Sequence, residues 1–184
     1  MDKEITMPLG VVVEKRKSDH KWIDWVWKPV AVIPGAGPQD EWLEVGSGDN
    51  WTHFLVGSLP LTLHRTETES YVMNLSDKQP SIYTILREND DDEDGTRPYL
   101  AHLVTASPFE AQDFEDTGED IIERIPMPDS LIAWVQDFVG AHHVDEPFVK
   151  RKRRDIRDEP EKFGKEPIFG QSRQSSEKGP ENDQ

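Results

Sequence analysis

The stretch HKWIDWVWKPVAVIPG, residues 20–35, holds three of the six tryptophans in the chain and is typical of a β-strand. Its apolar residues are mostly aromatic or β-branched, and the loop PGAGP follows. Pro29 suits an edge strand or the start of a strand, because proline cannot donate a backbone hydrogen bond. Trp25 and Trp27 fall on one side of the strand, and we expect both to pack in the core. Trp22 does not share that side and adjoins the charged segment EKRKSDHK, so it is the better candidate for exposure and partner contact.

Seven other short runs of the chain also have the composition of β-strands. Each is five to eight residues long, and most are bounded by Gly, Pro, Asn or Asp. The runs are LGVVV (9–13), EWLEV (41–45), WTHFLVG (51–57), LPLTLHR (59–65), ESYVMNL (69–75), SIYTILRE (81–88) and YLAHLVTA (99–106). Short strands at this spacing predict an antiparallel β-sheet or a small β-barrel of about six to eight strands.

Two helices are predicted after the strands. The first, over residues 108–116, has a capping hydroxyl at Ser107, Pro108 in its first turn and an acidic Glu110 three residues after the cap. The second, over residues 129–140, has an apolar stripe at helical spacing that should cover one face of the sheet. The stripe consists of Leu131, Ile132, Val135, Phe138 and Val139. The predicted fold class is therefore α+β, an antiparallel sheet or small barrel followed by two C-terminal α-helices and a disordered tail.

Charge divides the chain into two parts. Residues 1–149 hold 11 basic and 29 acidic residues, a net charge of −18, and form a predicted single acidic β-rich domain. Residues 150–184 hold ten basic and eight acidic residues and begin with KRKRR. Their apolar content is too low to offset the loss of chain entropy on folding, so we expect a flexible tail. An acidic domain repels phosphate groups, which argues against nucleic acid as a partner.

Several classes of protein are excluded by what the sequence lacks. Without cysteine the chain can form no disulfide, thiol nucleophile or thiolate metal site. The N-terminus has no basic region followed by an apolar stretch, and no apolar run approaches the roughly 20 residues that span a bilayer, so we expect a soluble, cytoplasmic protein. The motifs GxxxxGK[ST], GxGxxG and GxSxG are also absent. We therefore expect no cofactor, and a non-catalytic protein is favoured over an enzyme.

The acidic loop NDDDEDG resembles part of a calcium-binding loop. Asp90, Asp92, Asp94 and Gly95 match positions 1, 3, 5 and 6 of the EF-hand template. Position 12 falls on Ala101, where the template needs a bidentate glutamate, and the flanking runs predict strands instead of helices. A solvated acidic loop is favoured, and no metal site is predicted.

His64, Arg65, Glu67 and Glu69 form a candidate polar cluster. If the alternation of the preceding strand continued, Arg65 and the two glutamates would interrupt an apolar face, and carboxylates buried beside an arginine are typical of functional sites. One strand from residue 59 to residue 75 would span more than about 50 Å, too long for a small domain. The alternative is a hairpin near Thr66–Thr68 that leaves these charges exposed.

Three segments together resemble a known family. They are MPLGVVVEKRKSDHKWIDWVWKPVAVIPG, WTHFLVGSLPLTLHRTETESYVMNL and LVTASPFEAQDFEDTGEDIIERIPMPDSLIAWVQDFVGAHHVDEPFVKRKRR. The resemblance, over roughly residues 7–154, is to uncharacterised proteobacterial proteins that form a domain of unknown function. That family is associated with gene neighbourhoods of molybdenum-dependent formate dehydrogenases. The resemblance therefore implies a protein partner among formate dehydrogenase subunits or maturation factors.

Two functions follow from these patterns, and both remain open at this point. The first is a non-catalytic protein-binding or assembly factor, in which charge steers the encounter and exposed aromatic residues anchor the partner. Its candidate interaction residues are Trp22, Phe148, Lys150, Arg151, Lys152, Arg153 and Arg154. The second is a small-molecule-binding barrel or enzyme that uses the polar cluster. Convergence of that cluster in a concave pocket would favour the second function, and a flat, exposed arrangement would favour the first.

Overall fold

Seven antiparallel strands in two sheets and three α-helices make up an α+β fold. The computed structural model describes residues 3–39, 41–116, 118 and 120–144. The strands are β1 (Glu4–Lys17), β2 (Trp25–Pro34), β3 (Leu43–Gly48), β4 (Trp51–His64), β5 (Ser81–Glu88), β6 (Tyr99–Thr105) and β7 (Ile121–Pro126). The helices are α1 (Thr68–Leu75), α2 (Pro108–Glu115) and α3 (Asp129–His142), and a 3₁₀ turn (Arg65–Glu67) precedes α1. The predicted tail, 150–184, lies outside the described residues.

The two sheets have separate hydrogen-bond ladders. The first has the strand order β2-β1-β4-β3, and the second has the order β6-β5-β7. β1 is 14 residues long and pairs with both β2 and β4, with bulges near Val12 that shift the register. The fold class predicted from the sequence is confirmed, and the described residues form two open sheets and no closed barrel.

One main core joins both sheets to α1 and α3. Alternate residues of β1 point inward, as the two-residue period of a strand requires. They meet the central strand of the second sheet and the apolar stripe of α3. The fully buried side chains of this core include Leu9, Val11, Leu61, Leu63, Tyr71, Ile82, Leu86, Leu131 and Val135. Side chains from both sheets and from α1 and α3 therefore pack in one contiguous cluster.

The two predicted helices are confirmed, with small differences at their ends. The hydroxyl of Ser107 accepts a hydrogen bond from the backbone N–H of Glu110 at 3.2 Å, as the capping pattern predicted. On α3, Val135 and Phe138 are buried in the core, which confirms the apolar stripe. Among the described residues, no helix is long and apolar enough to cross a membrane.

The predicted strand ESYVMNL and the hairpin before it are wrong. This segment is α1, and residues 65–67 form the 3₁₀ turn that leads into it. The helix is stabilised by tertiary contacts, because Tyr71 and Asn74 lie three residues apart and are both buried on its inner face. Aromatic and β-branched residues favour strands only weakly, so the surroundings of the segment decide its conformation.

Two further strand predictions need correction. The runs 51–57 and 59–65 are one strand, β4, which continues through Pro60. Pro60 is tolerated because β3 pairs with β4 only as far as Leu55, so this half of β4 has β1 as its one ladder partner. The segment of β7 was not predicted as a strand at all. Glu123 and Arg124 interrupt its apolar residues and hide the pattern.

Candidate functional site

The hairpin formed by β1 and β2 carries the most exposed aromatic surface of the described residues. Residues 18–24 connect the two strands, and the backbone N–H of Ser18 donates to the carbonyl of Asp24 at 3.0 Å to close the turn. Beyond the turn, Lys17 lies opposite Trp25 and Lys15 lies opposite Trp27. Lysine and tryptophan side chains therefore share one face of the hairpin.

Trp22 lies at the turn of this hairpin and is 81% exposed, so its predicted exposure is confirmed. The ammonium of Lys21 is 5.2 Å from the centre of its ring. The neighbouring Ile23 is 50% exposed. Single exposed apolar residues are common on proteins, but adjacent ones of this size are typical of interaction surfaces.

The expectation that Trp25 and Trp27 both pack in the core is wrong for Trp25. Trp25 is 44% exposed, and the next residue, Val26, is exposed as well. Trp27 is half-buried and packs against the edge of the core. The side of the strand was predicted correctly, but the core ends at Trp27, and Trp25 lies one step further towards the turn.

Trp27 belongs to an aromatic cluster with Trp42 and Phe54. Its ring centre is 5.6 Å from that of Trp42 in an edge-to-face arrangement and 6.3 Å from that of Phe54. The Trp42 and Phe54 centres are 5.7 Å apart. These distances are those at which aromatic pairs attract each other. Lys15 lies over this surface, with its ammonium 4.6 Å from the centre of Trp25 and 5.2 Å from that of Trp27.

A second group of interacting side chains lies at the same end of β1 and β4. Glu14 accepts two hydrogen bonds from the Arg16 guanidinium, at 2.7 and 2.9 Å, and lies 3.0 Å from Nε2 of His53. The hydrogen bond from Arg16 lowers the pKa of the Glu14 carboxyl below its ordinary value. The rings of Trp51 and His53 are in contact at a tilt of 42°, with their centres 4.3 Å apart. The strand predicted over residues 9–13 ends before Glu14, whereas β1 extends to Lys17, so the pairing of Glu14 with His53 was not predicted.

The candidate polar cluster does not converge in one pocket. His64 and Arg65 line a surface depression of about 430 Å³ together with Glu4, whose carboxylate is 3.4 Å from Nδ1 of His64. Glu67 and Glu69 line a different depression of about 560 Å³, between α1 and α2. Three of the four residues are exposed, and Glu67 is half-buried. The arrangement is a polar surface with no buried carboxylate beside an arginine.

The acidic loop between β5 and β6 closes on itself through its own side chains. The two carboxylate oxygens of Asp92 accept hydrogen bonds from the backbone N–H groups of Thr96 and Arg97, at 3.2 and 3.0 Å. The side-chain amide of Asn89 donates to the carbonyl of Arg97 at 2.9 Å. Within the described ranges, no group of three or more His, Asp or Glu side chains could hold a metal ion.

Six of the candidate interaction residues lie outside the described residues. They are Phe148, Lys150, Arg151, Lys152, Arg153 and Arg154. Of the residues predicted to contact a partner, Trp22 alone has a described position. The structure adds Trp25, Val26 and Lys15 on the same hairpin. Alternation along one strand does not show that Lys15 and Trp25 share a face, because they lie on different strands and the register of the pairing is needed.

Comparison with known proteins places the chain in a family. Residues 8–152 match the family described as "Protein of unknown function (DUF3305)", which is most of the 184-residue chain, so the chain belongs to that family. An 81-residue stretch is 26% identical to the transcription termination/antitermination protein NusG of Chlamydia pneumoniae. That match covers 44% of this chain and 44% of NusG. No solved structure matches the chain.

Proposed function

We propose that this member of the DUF3305 family is a non-catalytic protein-binding or accessory factor of the cytoplasm. The observation that carries the proposal is Trp22, which is 81% exposed at the turn of the β1–β2 hairpin and has exposed apolar neighbours. Exposed tryptophans supply large contact areas, and they are enriched among the few residues that dominate binding energy in protein interfaces. Holding such a side chain in water has no benefit for folding, because its burial would be favourable.

The charge of the chain supports the same function. Residues 1–149 carry a net charge of −18, and the segment KRKRR at 150–154 is entirely basic. A chain with separated charges of both signs steers and orients an oppositely charged partner before contact. The divided polar cluster gives no comparable support to a small-molecule site, because its four residues line two different depressions.

The partner that we propose is a subunit of formate dehydrogenase or a factor in the maturation of that enzyme. This part of the proposal rests on the resemblance to a family whose genes neighbour those of molybdenum formate dehydrogenases. The similarity to NusG covers less than half of either chain, and it does not extend the proposal to transcription.

Affinity purification of the full chain from its native host, followed by mass spectrometry, tests the proposal. We expect a protein partner to be recovered, and we expect recovery to fall when Trp22 is replaced by Ala or when the five residues 150–154 are replaced by Gln. Added salt should weaken capture by the wild type, since exposed charges are screened over about 10 Å at 0.1 M salt. Recovery of no partner, together with turnover of a small molecule that Arg65→Ala abolishes, would contradict the proposal.

A further inference from the structure

We infer that the face of the β1–β2 hairpin that carries Lys15 and Trp25 binds an acidic protein segment that also contains apolar side chains. This surface, the lysine–tryptophan face, consists of Lys15, Lys17, Trp25 and the half-buried Trp27. The inference rests on the proposed function, because it names the chemistry of the partner. The lysine–tryptophan face lies on the paired strands and is a second contact region beside Trp22 at the turn.

The first argument is the local charge. Residues 14–28 hold five basic and three acidic residues, whereas the rest of residues 1–149 holds six basic and 26 acidic ones. Nearly half of the basic residues of the acidic domain therefore lie in one hairpin. An acidic segment is attracted to this hairpin and repelled elsewhere on the domain, which fixes where it binds.

The second argument is which cations are already paired. On the opposite face of the hairpin, Arg16 is bound by Glu14, and Lys28 lies 3.3 Å from a carboxylate oxygen of Glu123. Among the described residues, no carboxylate forms an ion pair with Lys15, whose ammonium instead lies over the rings of Trp25 and Trp27. Lys15 is thus held beside an apolar surface, and its ammonium can still donate a hydrogen bond to a carboxylate of a partner.

The third argument is the combination of apolar and charged contacts. Trp25 is 44% exposed, so a partner side chain that packs on it removes apolar surface of both molecules from water. A carboxylate next to that side chain would reach the ammonium of Lys15 at the same time. A segment with acidic residues beside aromatic or large aliphatic residues satisfies both contacts.

Single-stranded nucleic acid is the other ligand that tryptophans and lysines can bind, through stacking and phosphate contacts. The surrounding charge disfavours it. A nucleic acid longer than the hairpin would bring one phosphate per nucleotide close to the rest of residues 1–149. That part of the chain holds 26 acidic and six basic residues and would repel the phosphates. A peptide can confine its negative charges to the hairpin, so we favour a protein segment.

A phage-displayed library of random peptides, selected on the immobilised full-length protein, provides the probe. We expect the selected peptides to be enriched in Asp or Glu next to Phe, Trp, Leu or Ile. A labelled copy of a selected peptide then gives the dissociation constant by fluorescence anisotropy. Trp25→Ala should weaken binding roughly tenfold, as truncation of an interface tryptophan commonly does. Lys15→Gln should weaken it less and should reduce the dependence on salt.

Matched variants elsewhere on the surface provide the controls. Phe109 is also about half exposed, but it lies among Glu67, Glu69 and Glu110, so Phe109→Ala should leave peptide binding unchanged. Lys78→Gln removes an exposed lysine far from the hairpin in sequence and should also have no effect. If Trp25→Ala does not fold, Lys15→Gln decides the question, because Lys15 is outside the main core.

Three results would overturn the inference. They are selected peptides without acidic residues, an unchanged dissociation constant in folded Trp25→Ala and Lys15→Gln, and tighter binding of a thymidine oligonucleotide than of the acidic peptide. If a partner is captured from the host equally well by wild type and by these two variants, the proposed function stands and this site is wrong. If acidic peptides bind the hairpin but no partner is captured, the site stands and the proposed function is wrong.

Discussion

Replacing Asn74 with Ala should destabilise the protein by about 3 kcal/mol, because this buried side chain satisfies three backbone groups at once. Its amide nitrogen donates to the carbonyls of Ser81 and Ala106, both at 2.7 Å, and its amide oxygen accepts from the backbone N–H of Ser81 at 3.0 Å. Asn74 and Ser81 are 3% and 4% exposed, so water does not replace these bonds freely. Each hydrogen bond contributes about 1 kcal/mol, and an unsatisfied buried N–H adds to the cost.

Urea denaturation followed by circular dichroism measures this change in the free energy of unfolding. Met73→Ala is the matched control, since Met73 is the preceding residue of the same helix and is 53% exposed; we expect a change within about 0.5 kcal/mol. Asn74→Asp should be worse than Asn74→Ala at neutral pH, because a carboxylate would face two carbonyl oxygens, and should recover partly as acid protonates it. A loss below about 0.5 kcal/mol for Asn74→Ala would show that this network does not hold α1 in place.

Three further predictions concern stability. Phe138→Ala should cost roughly 3–5 kcal/mol in the same assay, because Phe138 is 3% exposed and packs edge-to-face on Tyr71; a cost near zero would contradict its burial. Thr84→Val should stabilise the protein by about 1 kcal/mol, because the Thr84 hydroxyl is buried without a hydrogen-bond partner among the described residues; a clear loss of stability would refute this. The hydrogen bond from Arg87 lowers the pKa of the Asp120 carboxyl below its ordinary value. The stability that this ion pair adds is therefore present above the ordinary pKa of an aspartate and is lost as the pH falls through the lowered pKa. Asp120→Asn should therefore be less stable than wild type at neutral pH, and the gap should close in acid; a gap independent of pH would contradict the ion pair.

The elements with strong local signals could be predicted from the sequence. The capping hydroxyl of Ser107 and the apolar stripe around Phe138 are local features, and the structure has both helices. The position of α1 was not predictable in this way, because what stabilises it is distant in sequence. Asn74 binds the backbone of Ala106, 32 residues away. Such contacts decide the conformation of a segment whose own preference is weak.

The candidate site was predicted in part, for a similar reason. Exposure of Trp22 follows from its charged neighbours in sequence, and alternation correctly put Trp25 and Trp27 on one side of a strand. Alternation does not say how far the core extends along that side, so the exposure of Trp25 required the structure. For the polar cluster, neither the continued strand nor the alternative hairpin is present, because the chain turns into α1 after His64; the exposure expected from the hairpin alternative holds for His64, Arg65 and Glu69.

Site-specific photocrosslinking in the native host tests most directly whether this protein binds another protein through its hairpin. A photoreactive phenylalanine analogue at position 22 takes the place of the most exposed tryptophan, and the same analogue at position 109 serves as the control in an acidic depression beside α2. We predict that irradiation produces a covalent adduct with one protein from position 22 and not from position 109. Equal adducts from both positions, or none from position 22 while the protein remains folded, would contradict the account.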